Sequence, residues 1–240
     1  MALTPSTTKA RRSPSGGASD AVRKPGPEPR MPVPVRGSRT LTRPIRLLAA
    51  SDVSGSTASS DPHQQSEQAL LELCDWIEEH SGEARDRIGL VRFADVAEAL
   101  PAVVAAKARK AFESKLLASA DVGGGTQLTP AVDALCALLP HRGPHRVVVL
   151  ITDGQVAEDD AQLRRLFARL QAQSDAIYLV ALDHDGLWSR STRHRYEQLG
   201  LSGTVVIGEL TRAQLAHALA LLLMAETGLR ARRGWRVGSR

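Results

Sequence analysis

Five apolar residues in succession, Val147-Val148-Val149-Leu150-Ile151, leave no polar face to turn towards water. The run is too short for an ordinary helix, so it reads as a strand covered on both sides, which is the signature of a parallel sheet. Residues 45–50 and 177–182 are similar runs, and 204–207 is a shorter one. Between them, apolar residues recur at helical spacing: Leu70, Leu73, Cys74 and Ile77; Val132, Leu135, Cys136 and Leu139; Leu163, Leu166, Phe167 and Leu170; Leu215, Leu219 and Leu222. Residues 87–93 and 97–104 read as two strands whose link, Ala94-Asp95, is too short for anything but an antiparallel hairpin. Helices are further expected over 107–117 and 191–199. The order predicts an α/β fold: a doubly wound, mostly parallel central sheet with one antiparallel edge strand and helices on both faces.

Charge separates the ends of the chain from its middle. The formal net charge is +5, but residues 1–43 carry about +7 and residues 228–240 about +5, leaving about −7 between them. The first stretch is rich in Pro, Ser, Gly and Arg and lacks hydrophobic periodicity, so residues 1–43 are expected to be a disordered basic tail. Residues 44–228 form the expected folded domain, and 229–240 a second basic tail. Such tails attract nucleic acid or acidic partners, but neither is interleaved with the aromatic residues that stack on bases, apart from Trp235. Nucleic acid is therefore not the expected partner.

Cys74 and Cys136 have no metal-ligand spacing and sit among leucines, as small buried hydrophobes of a reduced compartment do. There is no apolar signal segment, and the most apolar stretch, 218–225, is far shorter than the ~20 residues that span a bilayer. A cytoplasmic protein with no membrane partner is expected.

The chemistry is concentrated at three places. The first strand ends in Asp52-Val53-Ser54-Gly55-Ser56, where oxygen-bearing side chains at alternate positions of an extended segment point one way. A glycine run, Gly123-Gly124-Gly125, stops at Thr126 just before a helix. The strand at 147–151 leads into Asp153-Gly154, at the carboxyl edge where open α/β sheets place ligands. Two carboxylates and three hydroxyls, with no thiolate or imidazole, favour a hard cation.

These three stretches in this order resemble the von Willebrand factor type A domain, over roughly residues 44–228. The resemblance implies a complete metal-ion-dependent adhesion site formed by Asp52, Ser54, Ser56, Thr126 and Asp153. It implies bound Mg2+ (or Mn2+ or Ca2+) and a protein partner that offers an Asp or Glu to the metal. Gly125, Asp183, His184 and Asp185 would line the rim by position. Intracellular bacterial members of the family often work beside MoxR-type AAA+ ATPases or in defence and stress complexes, and that setting is the expected one here.

Enzyme chemistry finds less to work with. No Gly-x-x-x-x-Gly-Lys-Ser/Thr or Gly-x-Ser-x-Gly occurs, and Asp52 lacks the second acid two residues on that an aspartate-nucleophile phosphatase needs. His184, between two aspartates, is the best candidate base for an alternative reading as a metal-dependent hydrolase. The expectation is a binding module without catalytic residues.

Overall fold

A computed structural model of the chain describes residues 35–36, 39–61, 64–80, 85–116, 124–183, 188–208 and 211–231. Residues 1–34 and 232–240 of the expected tails, and Gly123, His184 and Asp185, lie outside the described residues.

The described elements follow the expected alternation. In chain order they are β1 (Val35–Arg36), β2 (Ile45–Asp52), α1 (Gly55–Ser60), α2 (Gln65–His80), β3 (Arg87–Phe93), β4 (Ala97–Val104), α3 (Ala105–Leu116) and α4 (Leu128–Leu138). Then come β5 (His145–Thr152), α5 (Asp160–Gln171), β6 (Ala176–Leu182), α6 (Arg190–Glu197), β7 (Gly203–Ile207), α7 (Arg212–Thr227) and β8 (Arg230–Ala231). Six strands form one sheet in the order β4-β3-β2-β5-β6-β7, parallel throughout except for the antiparallel β3–β4 pair. The expected α/β class and edge hairpin are both present.

Strand alternation divides the core. Leu47 and Ala49 of β2, with Val147, Val149 and Ile151 of β5, face α2, α3 and α7. Leu48 and Ala50, with Val148 and Leu150, face α4, α5 and α6. Both faces of β2, β5 and β6 are thus dry, which explains why their sequences run apolar without interruption. Chain order reverses between β2, whose next strand is β3 on one side, and β5, whose next is β6 on the other. The crevice at that reversal lies outside the carboxyl ends of β2 and β5.

Local signals set most helix ends. The Asp61 carboxylate accepts from Gln65 N (2.6 Å) and Ser66 N (2.8 Å) and so caps α2. Thr211 accepts from Gln214 N at the start of α7, and Gly228, at φ +74°, closes it. One feature differs from expectation: the motif at 52–56 does not stay extended but runs straight into the short helix α1, since Gly55 starts the turn. Glu158 precedes α5, whose N-cap is Asp159, in a capping box with Gln162. The Glu158 carboxylate instead accepts from Thr129 N (2.8 Å) and Thr129 Oγ1 (2.9 Å) and so caps α4.

Contacts of the fold continue past both expected edges of the domain. β1 pairs antiparallel with β8. The Arg39 guanidinium meets the buried carboxylate of Asp86 at 2.6 Å, and Asp86 also accepts from Ile45 N at 2.7 Å. Thr40 N donates to Thr227 O at 3.0 Å, so the segment before β2 is tied to the end of α7. A proline- and arginine-rich composition describes residues 1–34 on average but does not describe 39–43, where one arginine finds a buried acid.

A second buried ion pair crosses the α2 face: Arg92 Nε meets Glu67 Oε1 at 2.9 Å, with Glu98 at 3.3 Å from Arg92 Nη1. Burial pushes the Glu67 carboxyl up to about 7, and the pull of Arg92 in the other direction does not cancel it. The folded chain therefore holds this proton over a window in which the unfolded chain has lost it. Its contribution to stability is full below the ordinary carboxylate range and is lost as pH rises through about 7.

Two outcomes follow for urea unfolding. Asp86→Ala leaves Arg39 and Ile45 N without their buried acceptor and should lower stability by about 3–5 kcal/mol. The stability difference between wild type and Glu67→Gln should shrink by up to about 3 kcal/mol between pH 4.5 and 8, in the wild type's disfavour as pH rises.

Candidate metal centre

The site is built where β2 and β5 end side by side. Asp52 is 1% exposed and Asp153 0%. Ser54 N donates to Asp52 Oδ1 at 3.0 Å, and Thr152 Oγ1 donates to Asp52 Oδ2 at 2.7 Å, so both carboxylate oxygens are held. Gly154 N donates back to Thr152 Oγ1 at 3.1 Å. Gln155 N donates to Asp153 Oδ1 at 2.9 Å, whereas Asp153 Oδ2 is buried with no hydrogen-bond partner among the described residues.

Three hydroxyls gather around Ser54, those of Thr126, Ser56 and Thr57. Thr126 Oγ1 donates to Ser54 Oγ at 2.7 Å, and Ser56 Oγ lies 3.1 Å from the same atom. Ser54 is the N-cap of α1, yet its side chain makes no capping bond. It is turned into the hydroxyl cluster, the opposite of what a serine at that position ordinarily does. The glycine run permits the approach: a Cβ on Gly55 would stand 3.3 Å from Gly124 O, so these two loops touch backbone to backbone. Gln127 N donates to Ala94 O (2.8 Å), Ala157 N to Thr126 O (2.9 Å) and Val53 N to Phe93 O (2.8 Å), which stitches the loops into one rim.

Burial raises the Asp52 carboxyl above its ordinary range; the hydrogen bonds from Thr152 and Ser54 oppose that, and the negative charge of Asp153 adds to it. Two desolvated acids side by side, one with an unsatisfied oxygen, form an environment that a cation would neutralise. Among the described residues no group of three or more His, Cys, Asp or Glu side chains comes together, so hydroxyl oxygens would have to complete any shell here. Asp52, Ser54, Ser56, Thr126 and Asp153 are all oxygen donors, and Asp153 Oδ2 is an orphaned acceptor among them; this set fits a hard divalent ion.

The rim expectations divide. Gly125 is exposed beside Thr126. Asp183 is half-buried and accepts from Trp188 N at 2.7 Å, so one of its oxygens closes its own loop. Several residues of the site gave no warning in the sequence. Thr152 could have been found from register, because Ser51 pairs with Ile151 and the next position sets Thr152 beside Asp52. Trp188 could not: it comes from α6's approach and packs its ring where a Cβ on Gly154, at φ +78°, would be 2.3 Å away. The Tyr196 ring packs tilted on Trp188, with centroids 5.1 Å apart, and its buried hydroxyl has no hydrogen-bond partner among the described residues. Burial raises that phenol's pKa, Arg195 opposes the rise, and Asp52, Asp153 and Glu158 reinforce it, so it stays a neutral group beneath two acids.

Residues 47–155 match the family model described as von Willebrand factor type A domain, a stretch that contains all five candidate oxygen donors. No curated protein matches the chain. Solved structures share the fold. A von Willebrand factor type A protein from Catenulispora acidiphila is 17% identical, with a TM-score of 0.61, covering 81% of this chain and 47% of that one. The mussel byssus proximal thread matrix protein 1, described with a zinc-occupied MIDAS motif (metal-ion-dependent adhesion site), is 13% identical with a TM-score of 0.60, covering 79% and 50%. An aerotolerance-related membrane protein from Bacteroides fragilis is 16% identical with a TM-score of 0.55, covering 74% and 97%. Residues 47–155 are thus similar to that family, and the solved structures share the α/β fold.

Thr152→Val keeps the shape of the side chain but removes the donor to Asp52 Oδ2. Stability in urea should fall by about 1–3 kcal/mol, the cost of a buried acceptor losing its bond.

Proposed function

We propose that the chain is a metal-dependent protein-binding module. A divalent cation, held by Asp52, Ser54, Ser56, Thr126 and Asp153, would take a carboxylate from a partner protein at a remaining coordination position. The observation that carries this reading is the buried Asp153 Oδ2, which has no hydrogen-bond partner among the described residues and stands beside a second buried acid and a knot of hydroxyls.

The chain's own residues divide the work. Asp52, anchored at both oxygens, sets the position of the site. Asp153 supplies an oxygen that no described residue satisfies. Ser54, Ser56 and Thr126 are neutral donors, so two carboxylates match a divalent charge without exceeding it. The bound ion would supply a Lewis-acidic position for an anionic ligand. Magnesium is the proposed ion, with manganese or calcium as substitutes, on the strength of the all-oxygen set. Zinc is worth including in a test because a structural relative is described with it.

The module is proposed to bind and not to turn substrate over, as part of an intracellular bacterial assembly such as one containing a MoxR-type AAA+ ATPase. No described helix is long and apolar enough to cross a membrane.

Thermal unfolding with Mg2+, Mn2+, Ca2+ or Zn2+ tests the site directly. An ion at a hundred times its Kd should add about 2.7 kcal/mol of stability, lost in Asp153→Asn and on addition of EDTA. No shift with any ion would overturn the proposal. A pull-down from native extract should then capture a partner with wild type in Mg2+, but not with Asp52→Ala or with EDTA.

A further inference from the structure

The carboxyl edge of the sheet is electrically lopsided around the proposed metal position. Strand order places the β3–β4 hairpin on one flank and the start of α6, which follows β6, on the other. From β3 across β2 and β5 to β6 is three strand spacings, about 14 Å.

The hairpin flank is apolar and acidic. Val96 is 56% exposed, the most exposed large hydrophobic side chain among the described residues, and Asp95 beside it is exposed with no partner among them. This tip is held firmly. Ala94 N donates to Val96 O at 2.9 Å, and Gln127 N, one residue beyond Thr126, donates to Ala94 O at 2.8 Å.

The other flank, where Asp183 accepts from Trp188 N, carries arginines on α6. Trp188 and Thr192 both pack on Gly154, the residue after Asp153, so α6 starts against the site. Arg190, between them in sequence, and Arg193 are exposed, and neither guanidinium makes a hydrogen bond or ion pair with a described residue. Arg195 is already committed, to Asp160 Oδ1 at 2.6 Å and to the Glu158 carbonyl. Between the flanks, the exposed residues beside the metal position are uncharged: Gly124, Gly125, Gln127 and Gln155.

Resting on the metal-binding reading above, we infer that the partner's segment is extended, acidic and directional. Its metal-bound Asp or Glu is accompanied on the α6 side by a second carboxylate, paired with Arg190 or Arg193. On the hairpin side it carries an uncharged aliphatic residue that covers Val96, where Asp95 would repel an acid. At about 3.3 Å per residue, the second acid falls two to four residues from the first. Arg190 and Arg193 therefore act as specificity residues: the metal asks only for a carboxylate, and they choose which carboxylates, and in which chain direction.

The test uses the full chain, immobilised in Mg2+, to select from a phage-displayed library of random octapeptides, with elution by EDTA. Wild type should enrich peptides with an Asp or Glu, a second acid two to four positions away on one consistent side, and an aliphatic residue on the other. Arg190→Glu/Arg193→Glu changes two exposed side chains and should retain the Mg2+-dependent thermal shift. It should lose the second-acid preference and bind the wild-type peptides about 5–30-fold more weakly. Arg190→Ala/Arg193→Ala should show the same loss to a smaller degree. Selected peptides with a single acid, with a second acid on either side at random, or with preferences unchanged by the charge reversal would overturn the inference and leave metal-dependent capture standing. No EDTA-eluted peptides at all from wild type would overturn the metal-capture reading and this inference with it.

Discussion

Asp52 and Asp153 end neighbouring parallel strands, and both are almost wholly removed from water. Two like charges so placed repel each other, and each has lost its hydration. The fold partly offsets this with donors aimed at them: Ser54 N and Thr152 Oγ1 at Asp52, and Gln155 N at Asp153. One oxygen is left over. The surrounding loops are arranged around that imbalance, with hydroxyls facing inward and a capping serine diverted from its helix. Buried polar groups without partners are rare in folded proteins, and where they persist they point to something the protein is built to meet.

Keeping such a group in place requires rigid surroundings. Backbone hydrogen bonds join the loop after β2 to the end of β3, the β3–β4 turn to the segment before α4, and that segment to the approach to α5. Glu158 adds a side-chain tie across the same gap by capping α4 from the start of α5. Gly154 turns with positive φ under the Trp188 ring, so α6 closes against the strand end with no side chain between them.

At the opposite edge of the sheet, polar ties do the corresponding work for the chain's outer segments. Asp86 holds Arg39 and the first backbone amide of β2. Glu226, near the end of α7, accepts from the Tyr178 hydroxyl and pairs with His145 Nε2 at 2.5 Å. α7 is apolar around much of its circumference, so hydrophobic contact alone would orient it poorly. These polar contacts fix its end against β5 and β6.

The sequence by itself determined the class of fold and the donor types. Runs without a polar face demand cover on both sides, and a three-residue link demands an antiparallel pair, so the sheet and its edge hairpin were legible before any coordinates. Asp52 and Ser54 were legible as oxygen donors at the end of a strand, and Asp153 because an apolar strand delivers it to the carboxyl edge; Ser56 lies in α1, so its place beside Ser54 comes from the helical turn and not from extended alternation. Tertiary structure decided what those residues meet. Thr152 reaches Asp52 through strand register, Glu158 caps α4 from just ahead of α5, and Trp188 and Tyr196 arrive just before and within α6, whose docking no local pattern specifies. Arg39 and Asp86 are 47 residues apart and pair only because β2 and β3 lie side by side. Local periodicity encodes which face of an element is dry; it carries no information about which distant side chain will fill the space beside it.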